Sequence, residues 1–471
     1  MSNLHPSCAG AAKCPLKAAT FGAMGLLVAA LLLSGCTDRP DGENLLRRQA
    51  AYAGRAYRHR FRHRALPPLA AAPTLRAVIT RALLANGSLE NTFWKWKAAI
   101  EQIPQDGTQT APLAISGGTA INNGNLAWNS TTLGALNDPM TDIYWPAKVT
   151  HAAQRALDMA QASAKQFRAQ RFAIRKKVVT AWYAYARDAA LAAVDQQNVA
   201  LLKMIDSISS ARVSAGRGGE QDLLRARTHV ALARNGRLTR LARLPGDLAT
   251  LNALLDRPPA APLRAPHEGS ASPTLRWADA RLLGMLPHDN LQLAALRRKL
   301  AARRESLTLA KLKYYPNFDV AATTDLAGMV QNLSGVVTIP ITRYKAINAA
   351  IRQARDNIRA QRAVIRQTGD NLAARLVLDL ALFHDAGRQV ALLKNIVLPQ
   401  EKMVVNVERA GYSNGRSSFI GLMRSQSSLL TIQSMLIDQR TAMQLRIADM
   451  EAILARRLTP PDRLAGGPRR R

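Results

Sequence analysis

The side chains best suited by type to hold a metal or move a proton are the histidines His59, His63, His151, His229, His267, His288 and His384. Their spacing assembles nothing: there is no H-E-x-x-H, no C-x-x-C and no paired metal-ligand pattern. One helical turn before His384 stands Leu380, and the nearby Asp379 and Asp385 would project from other faces of a helix. These histidines therefore read as surface or packing residues. Nucleophile and nucleotide motifs are missing as well: the chain has no Walker loop, no G-x-S-x-G and no Gly-rich dinucleotide fingerprint. Met403, Met423, Met435, Met443 and Met450 lie in helical sequence and read as core fillers and not as a copper relay. No enzyme and no cofactor are expected.

Cysteine chemistry is confined to one position. Lys13 and Lys17 precede an apolar run, Ala18–Leu33, of about 16 residues, too short for a comfortable membrane span. The run ends in Leu33-Ser34-Gly35-Cys36, which resembles the lipobox of bacterial lipoproteins. On that reading residues 1–35 are a cleaved leader and the Cys36 thiol carries a lipid. Thr37 follows, where an aspartate would favour retention in the inner membrane. Cys8 and Cys14 fall in the leader, so no disulfide and no cysteine metal site is expected in the mature chain. No later segment reads as a transmembrane helix. Residence in an outer membrane would then require a closed β-barrel, or the lipid alone.

The formal net charge of +33 over 471 residues would ordinarily raise nucleic-acid binding. The charge is spread along the chain, however, and the leader takes the protein out of the cytoplasm, so no nucleic-acid partner is expected. The densest stretches, Arg47–Arg64 (with Tyr52, Tyr57 and Phe61 interleaved) and Arg469–Arg471, read as solvated ends able to touch anionic lipid or polysaccharide.

The elements that would carry such a chain are long helices. Hydrophobic residues make up 48% and aromatic residues only 5%, a balance that favours helices over a sandwich or Rossmann core. An internal repeat organises them. Arg212–Ala226 aligns with Gly411–Ser425, so that Ser214, Gly216, Arg217, Leu223 and Arg225 recur as Ser413, Gly415, Arg416, Leu422 and Arg424. Upstream, Ile103-Pro104-Gln105 corresponds loosely to Tyr315-Pro316-Asn317, and Tyr144-Trp145-Pro146 to Thr338-Ile339-Pro340. The expected organisation is a leader (1–35), an N-terminal linker (36–74), a first helix/strand repeat (75–256), a Pro-rich linker (257–287), a second repeat (288–458) and a basic tail (459–471).

Ala147–Ala215 lacks Pro and Gly for about 69 residues, roughly 100 Å as one helix. Glu220–Asp256 and Leu75–Ile103, about 37 and 29 residues, would together match that length. In the second half Ile341–Asn414 is the long piece, expected to bend at Pro399, beside Asn290–Lys313 and Ser417–Leu458. Val178, Trp182, Tyr185, Ala189, Ala192, Val199 and Leu202 form a seam on the first long helix. Leu113–Ile143 and Asn317–Thr342 switch to partial alternation, which predicts four short strands. Four strands cannot close a membrane-spanning barrel alone, so several chains would have to pool them.

Val397-Leu398-Pro399-Gln400, Arg409–Gly415, Tyr314–Phe318 and Gly335–Pro340, together with the duplicated glycine turns, resemble the TolC-type outer-membrane factors of tripartite efflux and type I secretion. The resemblance covers about Leu75 to Leu458. It implies a mainly α fold: a long antiparallel α-helical barrel, a small oligomeric transmembrane β-barrel and two internal structural repeats. It also implies a homotrimer that passively exports solutes, with a periplasmic adaptor and an inner-membrane pump as partners and outer-membrane lipid around it. The lipobox, the Pro-rich linker and Val397–Gln400 look closest to members serving resistance-nodulation-division pumps, heavy-metal exporters among them. Mapped on, Gly216, Leu223, Gly415 and Leu422 would mark the tip turns gripped by the adaptor. Asp222 corresponds to an acid that pairs with a tyrosine, here Tyr412, and a neighbouring arginine to Arg416, or displaced to Ser417. Where some members carry acids inside the entrance, Gly421 and Arg424 stand here, which implies an entrance less acidic than usual, one that disfavours cations or resists block by them. A competing reading is a non-channel, adaptor-like coiled-coil lipoprotein of the periplasm. Two hairpin units with strands inside each favour the channel.

Overall fold

The computed structural model describes residues 39–109, 113–122, 125–137, 143–266, 273–325, 331–339 and 341–459. The leader, Cys36 and Arg469–Arg471 lie outside the described residues, as does His267. The elements run α1 Glu43–Ala53, α2 Leu75–Ala85, α3 Gly87–Asp106, β1 Leu113–Asn122, β2 Asn125–Asn137, α4 Pro146–Ser214, α5 Glu220–Leu241 and α6 Leu244–Leu254. They continue with α7 Asp279–Asp289, α8 Leu291–Leu312, β3 Asn317–Asp325, β4 Gln331–Thr338, α9 Tyr344–Leu392, α10 Leu398–Ser413 and α11 Phe419–Leu454.

The described residues divide into two compact units, one built from residues 39–43, Glu101–Leu157 and Arg304–Arg355, the other from Asn44–Ile100, Asp158–Arg303 and residues 356–459. The first unit holds a four-stranded antiparallel sheet in the order β1-β2-β3-β4. β1 pairs with β2 from Leu113↔Asn137 to Asn122↔Asn125, with an irregularity between Gly118 and Ala120. β2 meets β3 at Thr132↔Asp325 through Leu136↔Ala321, and β3 meets β4 at Asn317↔Thr338 through Thr324↔Gln331. The helix ends fasten the base of this sheet. Lys148 Nζ donates to the Tyr315 carbonyl (2.8 Å) and to Asn317 Oδ1 (2.6 Å). Trp145 stacks on Phe318 at 5.8 Å between centroids, and His151 pairs with Glu305 at 2.7 Å.

The helices differ from the sequence expectation at instructive points. α4 is continuous for 69 residues, with Pro146 in its first turn, where a missing N–H costs nothing. Of the expected seam, Val178, Trp182, Tyr185, Ala192, Val199 and Leu202 are buried and Ala189 is half-buried. The expected helix Leu75–Ile103 is two helices, because Asn86 turns extended and its Oδ1 accepts from the N–H groups of Ser88 (3.1 Å) and Leu89 (3.2 Å). Asn290 does the same between α7 and α8. Its Oδ1 accepts from Leu293 N–H (2.8 Å), while its Nδ2 donates to the Ile453 carbonyl (2.7 Å). Most of α7, residues 279–287, falls in the stretch read as a Pro-rich linker, which is therefore partly helical. The expected helix Glu220–Asp256 breaks after Leu241, and Pro245 starts α6. Between α9 and α10, Leu393–Val397 is a π-helical turn just ahead of Pro399. That turn accommodates a proline which cannot donate to the preceding turn.

Packed clusters of side chains hold the second unit. Tyr57, Phe93, Trp96 and Phe167 form an aromatic cluster, with Phe93 edge-on to Trp96 and Trp96 stacked on Phe167 at 5.5 Å. A second cluster joins Leu282 and Leu286 of α7 to Leu376, Leu380 and Phe383 of α9 and to Ile447, Met450 and Leu454 of α11. Met443 and Met450 are core residues as expected, but Met403 and Met435 are 60% and 42% exposed, so the core expectation fails for those two. The Arg47–Arg64 stretch is also not uniformly solvated. Arg64 is half-buried, its Nη1 donates to Glu90 Oε2 at 2.9 Å, and its guanidinium lies over the Tyr57 ring at 5.1 Å.

Candidate functional site

Two helix reversals carry most of the residues singled out from sequence, and both belong to the second unit. At the end of α4, Gly216 has φ +65°, its N–H donates to the Val213 carbonyl (2.9 Å), and the Arg217 N–H reaches back to the Arg212 carbonyl (2.8 Å). At the end of α10, Gly415 has φ +76°, donates to Tyr412 (3.1 Å), and Arg416 N–H reaches Gly411 (2.8 Å). This pair of crossed bonds is the Schellman arrangement, and it needs a left-handed residue that glycine adopts without Cβ strain. The two turns are therefore locally the same structure. Their exits differ: Ser418 Oγ accepts from Gly421 N–H (3.1 Å) and caps α11, whereas Gly219 begins α5 without a side-chain cap.

The turns are tied to each other through α4 and α10. The Tyr412 side chain is 2% exposed, and its hydroxyl shares a hydrogen bond with Ser209 Oγ at 3.0 Å. The Arg212 guanidinium lies 4.6 Å from the centre of the Tyr412 ring. Its Nη1 donates to the Tyr412 carbonyl, and its Nη2 donates to the Arg217 carbonyl at 3.1 Å. One arginine thereby satisfies carbonyls from both reversals. Below it, Leu202, Ile205, Ala226, Val230, Phe419 and Leu422 close a small apolar cluster. Phe419 meets Tyr412 edge-on at 5.8 Å, and the His229 ring lies 6.4 Å from Phe419.

The expected Asp222–Tyr412 pair is not formed within the chain. Tyr412 spends its hydroxyl on Ser209, and Asp222 sits half-buried in the first turn of α5, where a carboxylate favours the helix dipole. Arg416 and Arg424 are exposed, Leu422 is fully buried and Leu223 is half-buried. Leu422 thus serves the cluster beneath the turn and presents no free surface in the single chain.

Sequence reasoning missed Arg212 and Ser209. The usable signal was a mismatch inside the repeat: Arg212 aligns with Gly411, where a Cβ would stand 2.3 Å from Ser417 Oγ. One copy needs the smallest residue and the other carries the clamp.

Elsewhere, His384 finds an acid that spacing alone did not reveal: Asp279 of α7 lies 3.0 Å from its Nε2, in an exposed pair. Among the described residues no group of three or more His, Cys, Asp or Glu could hold a metal. No described helix is long and apolar enough to cross a membrane.

No protein-family model and no curated protein sequence matches the chain. Solved structures do. A membrane protein from Pseudomonas aeruginosa superposes with TM-score 0.70 at 18% identity, covering 81% of this chain and 90% of the other. The outer membrane protein VceC of Vibrio cholerae gives 0.68 at 17%, covering 80% and 95%. The open state of the Neisseria gonorrhoeae MtrE outer membrane channel gives 0.66 at 16%, covering 83% and 93%. A mainly helical chain with four strands interposed between its helices, shared over most of its length with these structures, has the fold of the TolC-type outer-membrane efflux channels.

Proposed function

We propose that the chain is one protomer of a homotrimeric outer-membrane efflux channel that passively conducts drugs, metal ions or other solutes out of the periplasm. The observation that carries this reading is the sheet. Four antiparallel strands lie between long helices, and β1 and β4 each have only one neighbour among the described residues. Unpaired edges of that length are a liability that closure into a barrel removes. Val336, Val337 and Ile339 near the β4 edge are more than half exposed in the single chain, as expected of residues that lipid or further protein covers. Three copies contributing four strands each would form the barrel, and their helices would line an α-helical duct.

The two Schellman turns support the reading of two structural repeats, because the same hydrogen-bond pattern recurs at the repeated sequence. On this reading Gly216, Leu223, Gly415 and Leu422 belong to the tips that a periplasmic adaptor grips, and Asp222, Tyr412, Arg416 and Arg424 border the entrance. An inner-membrane pump, of resistance-nodulation-division type, drives export, and a lipid on Cys36 anchors each protomer. No enzymatic step is involved.

Electron microscopy of the full chain extracted in detergent tests this directly. A threefold hollow cylinder is the expected result. Monomers, or threads without a lumen, would replace the channel with a coiled-coil, adaptor-like envelope lipoprotein.

A further inference from the structure

The second unit contains a cavity of about 630 Å³ between α2, the middle of α4, the start of α8 and the end of α11. Its lining holds Arg76, Arg168, Arg171, Arg175, Arg456 and Arg457, and among the described residues the only lining carboxylate is Asp289. Neither the export reading nor the tip turns account for this concentration of charge. Three of the arginines are occupied. Arg175 pairs with Glu451 at 2.9 Å, Arg456 with Asp289 at 3.0 Å, and Arg168 donates to Gln49 at 2.9 Å. Arg76, Arg171 and Arg457 have no carboxylate partner among the described residues.

The backbone at the rim is also unusual. Ala455 ends α11 with φ +51°, a conformation that a residue with a Cβ adopts at a steric cost. The two residues that follow this left-handed turn, Arg456 and Arg457, both stand in the cavity wall. Ile79, Phe172 and Leu291 supply an apolar wall beside the guanidinium groups. A cavity of this volume accommodates a small organic molecule. Guanidinium forks match the paired oxygens of a phosphate, and several of them around one site favour a doubly charged group over a singly charged one.

We propose that this cavity binds an organic phosphate, its phosphate held by Arg76, Arg171 and Arg457 and its apolar body against Phe172 and Leu291. The site stands whether or not the chain forms a channel. The same chemistry could be offered by a free phosphate monoester or by the head group of an anionic phospholipid.

Calorimetric titration of the purified full chain with 1-naphthyl phosphate, and flotation with vesicles of phosphatidic acid diluted in phosphatidylcholine, separate the two sources. The variants are Arg76→Gln, Arg171→Gln and Arg457→Gln, whose side chains hold no ion pair that the fold needs. Helix content by circular dichroism and particle size are recorded for each.

The expected result is saturable binding of one probe, weakened about tenfold or more by each variant at unchanged helix content, with naphthol itself binding far less. Binding of the free monoester assigns a soluble ligand. Binding confined to phosphatidic acid vesicles, with the same sensitivity to the variants, assigns a lipid head group. Absence of binding to both probes, or binding that the variants leave unchanged, overturns the site. A change of assembly size in the variants, with no probe bound by the wild type, would make the cavity a contact between subunits and overturn it equally.

Discussion

At the scale of single residues, the two positive-φ glycines and the Tyr412 hydroxyl have separable costs. Gly216→Ala and Gly415→Ala should each lower stability by about 1 kcal/mol, since each forces a Cβ into the left-handed region. Chemical denaturation of the full chain measures this, and unchanged midpoints would contradict the turn geometry. Tyr412→Phe leaves Ser209 without its buried partner and should cost about 1 kcal/mol, whereas Tyr412→Phe combined with Ser209→Ala should recover part of that loss. Asp247 offers a pH test. Its carboxyl is pushed above the usual aspartate range first by burial and then by the nearby Asp188 carboxylate, against Arg187 and Arg243. A raised folded-state value means that the folded chain holds this proton more tightly. The contribution is therefore fully present below the unfolded value and lost as pH rises through the folded one. Asp247→Asn should accordingly stabilise the protein at neutral pH and show no such gain below about pH 3 to 4. A gain that is the same at both pH values would refute the assignment.

Among the elements, the breaks are more informative than the helices. Asn86 and Asn290 each end one helix and cap the next, and Asn290 in addition bonds the Ile453 carbonyl of α11 while 3% exposed. Asn290→Ala removes the cap and leaves that carbonyl unpaired, so a loss of about 1–3 kcal/mol is expected. Asn86→Ala, which has no such second bond in the structure, should cost about 1 kcal/mol. Equal effects would mean that the α11 contact contributes nothing. Periodicity and the absence of Pro and Gly made α4 readable to within a residue at each end. The split of the flanking helices was not readable in that way, because asparagine in a helical pattern is a cap only when its neighbours leave the backbone no other partner. The Arg212 clamp was hidden for a related reason: its acceptors are backbone carbonyls, which no residue pattern encodes.

On the scale of the whole molecule, the entrance reading is testable in planar bilayers. With Arg424 exposed and Gly421 where acids are expected, the open pore should disfavour cations, and Arg424→Glu should shift its reversal potential toward cation preference. A cation preference that this substitution leaves unmoved would refute the placement of Arg424 at the entrance. The proposed lipid anchor at Cys36 is tested by metabolic labelling with a fatty acid: label on the wild type and none on Cys36→Ser is the expected pair. Label retained by the variant would place the lipid elsewhere.

Local sequence determined the long helix α4 where Pro and Gly are absent, strands where alternation replaces the helical period, and two glycine reversals at repeated positions. These are properties of a few consecutive residues, and so a single chain displays them without its fold. Tertiary structure alone decided which side chains meet. Tyr412 bonds Ser209 and not Asp222, His384 reaches Asp279, Arg64 pairs with Glu90, and six arginines from separate segments line one cavity. Each of these pairings depends on the register with which distant helices pack, and register is set by the summed burial of whole faces and not by the identity of either partner.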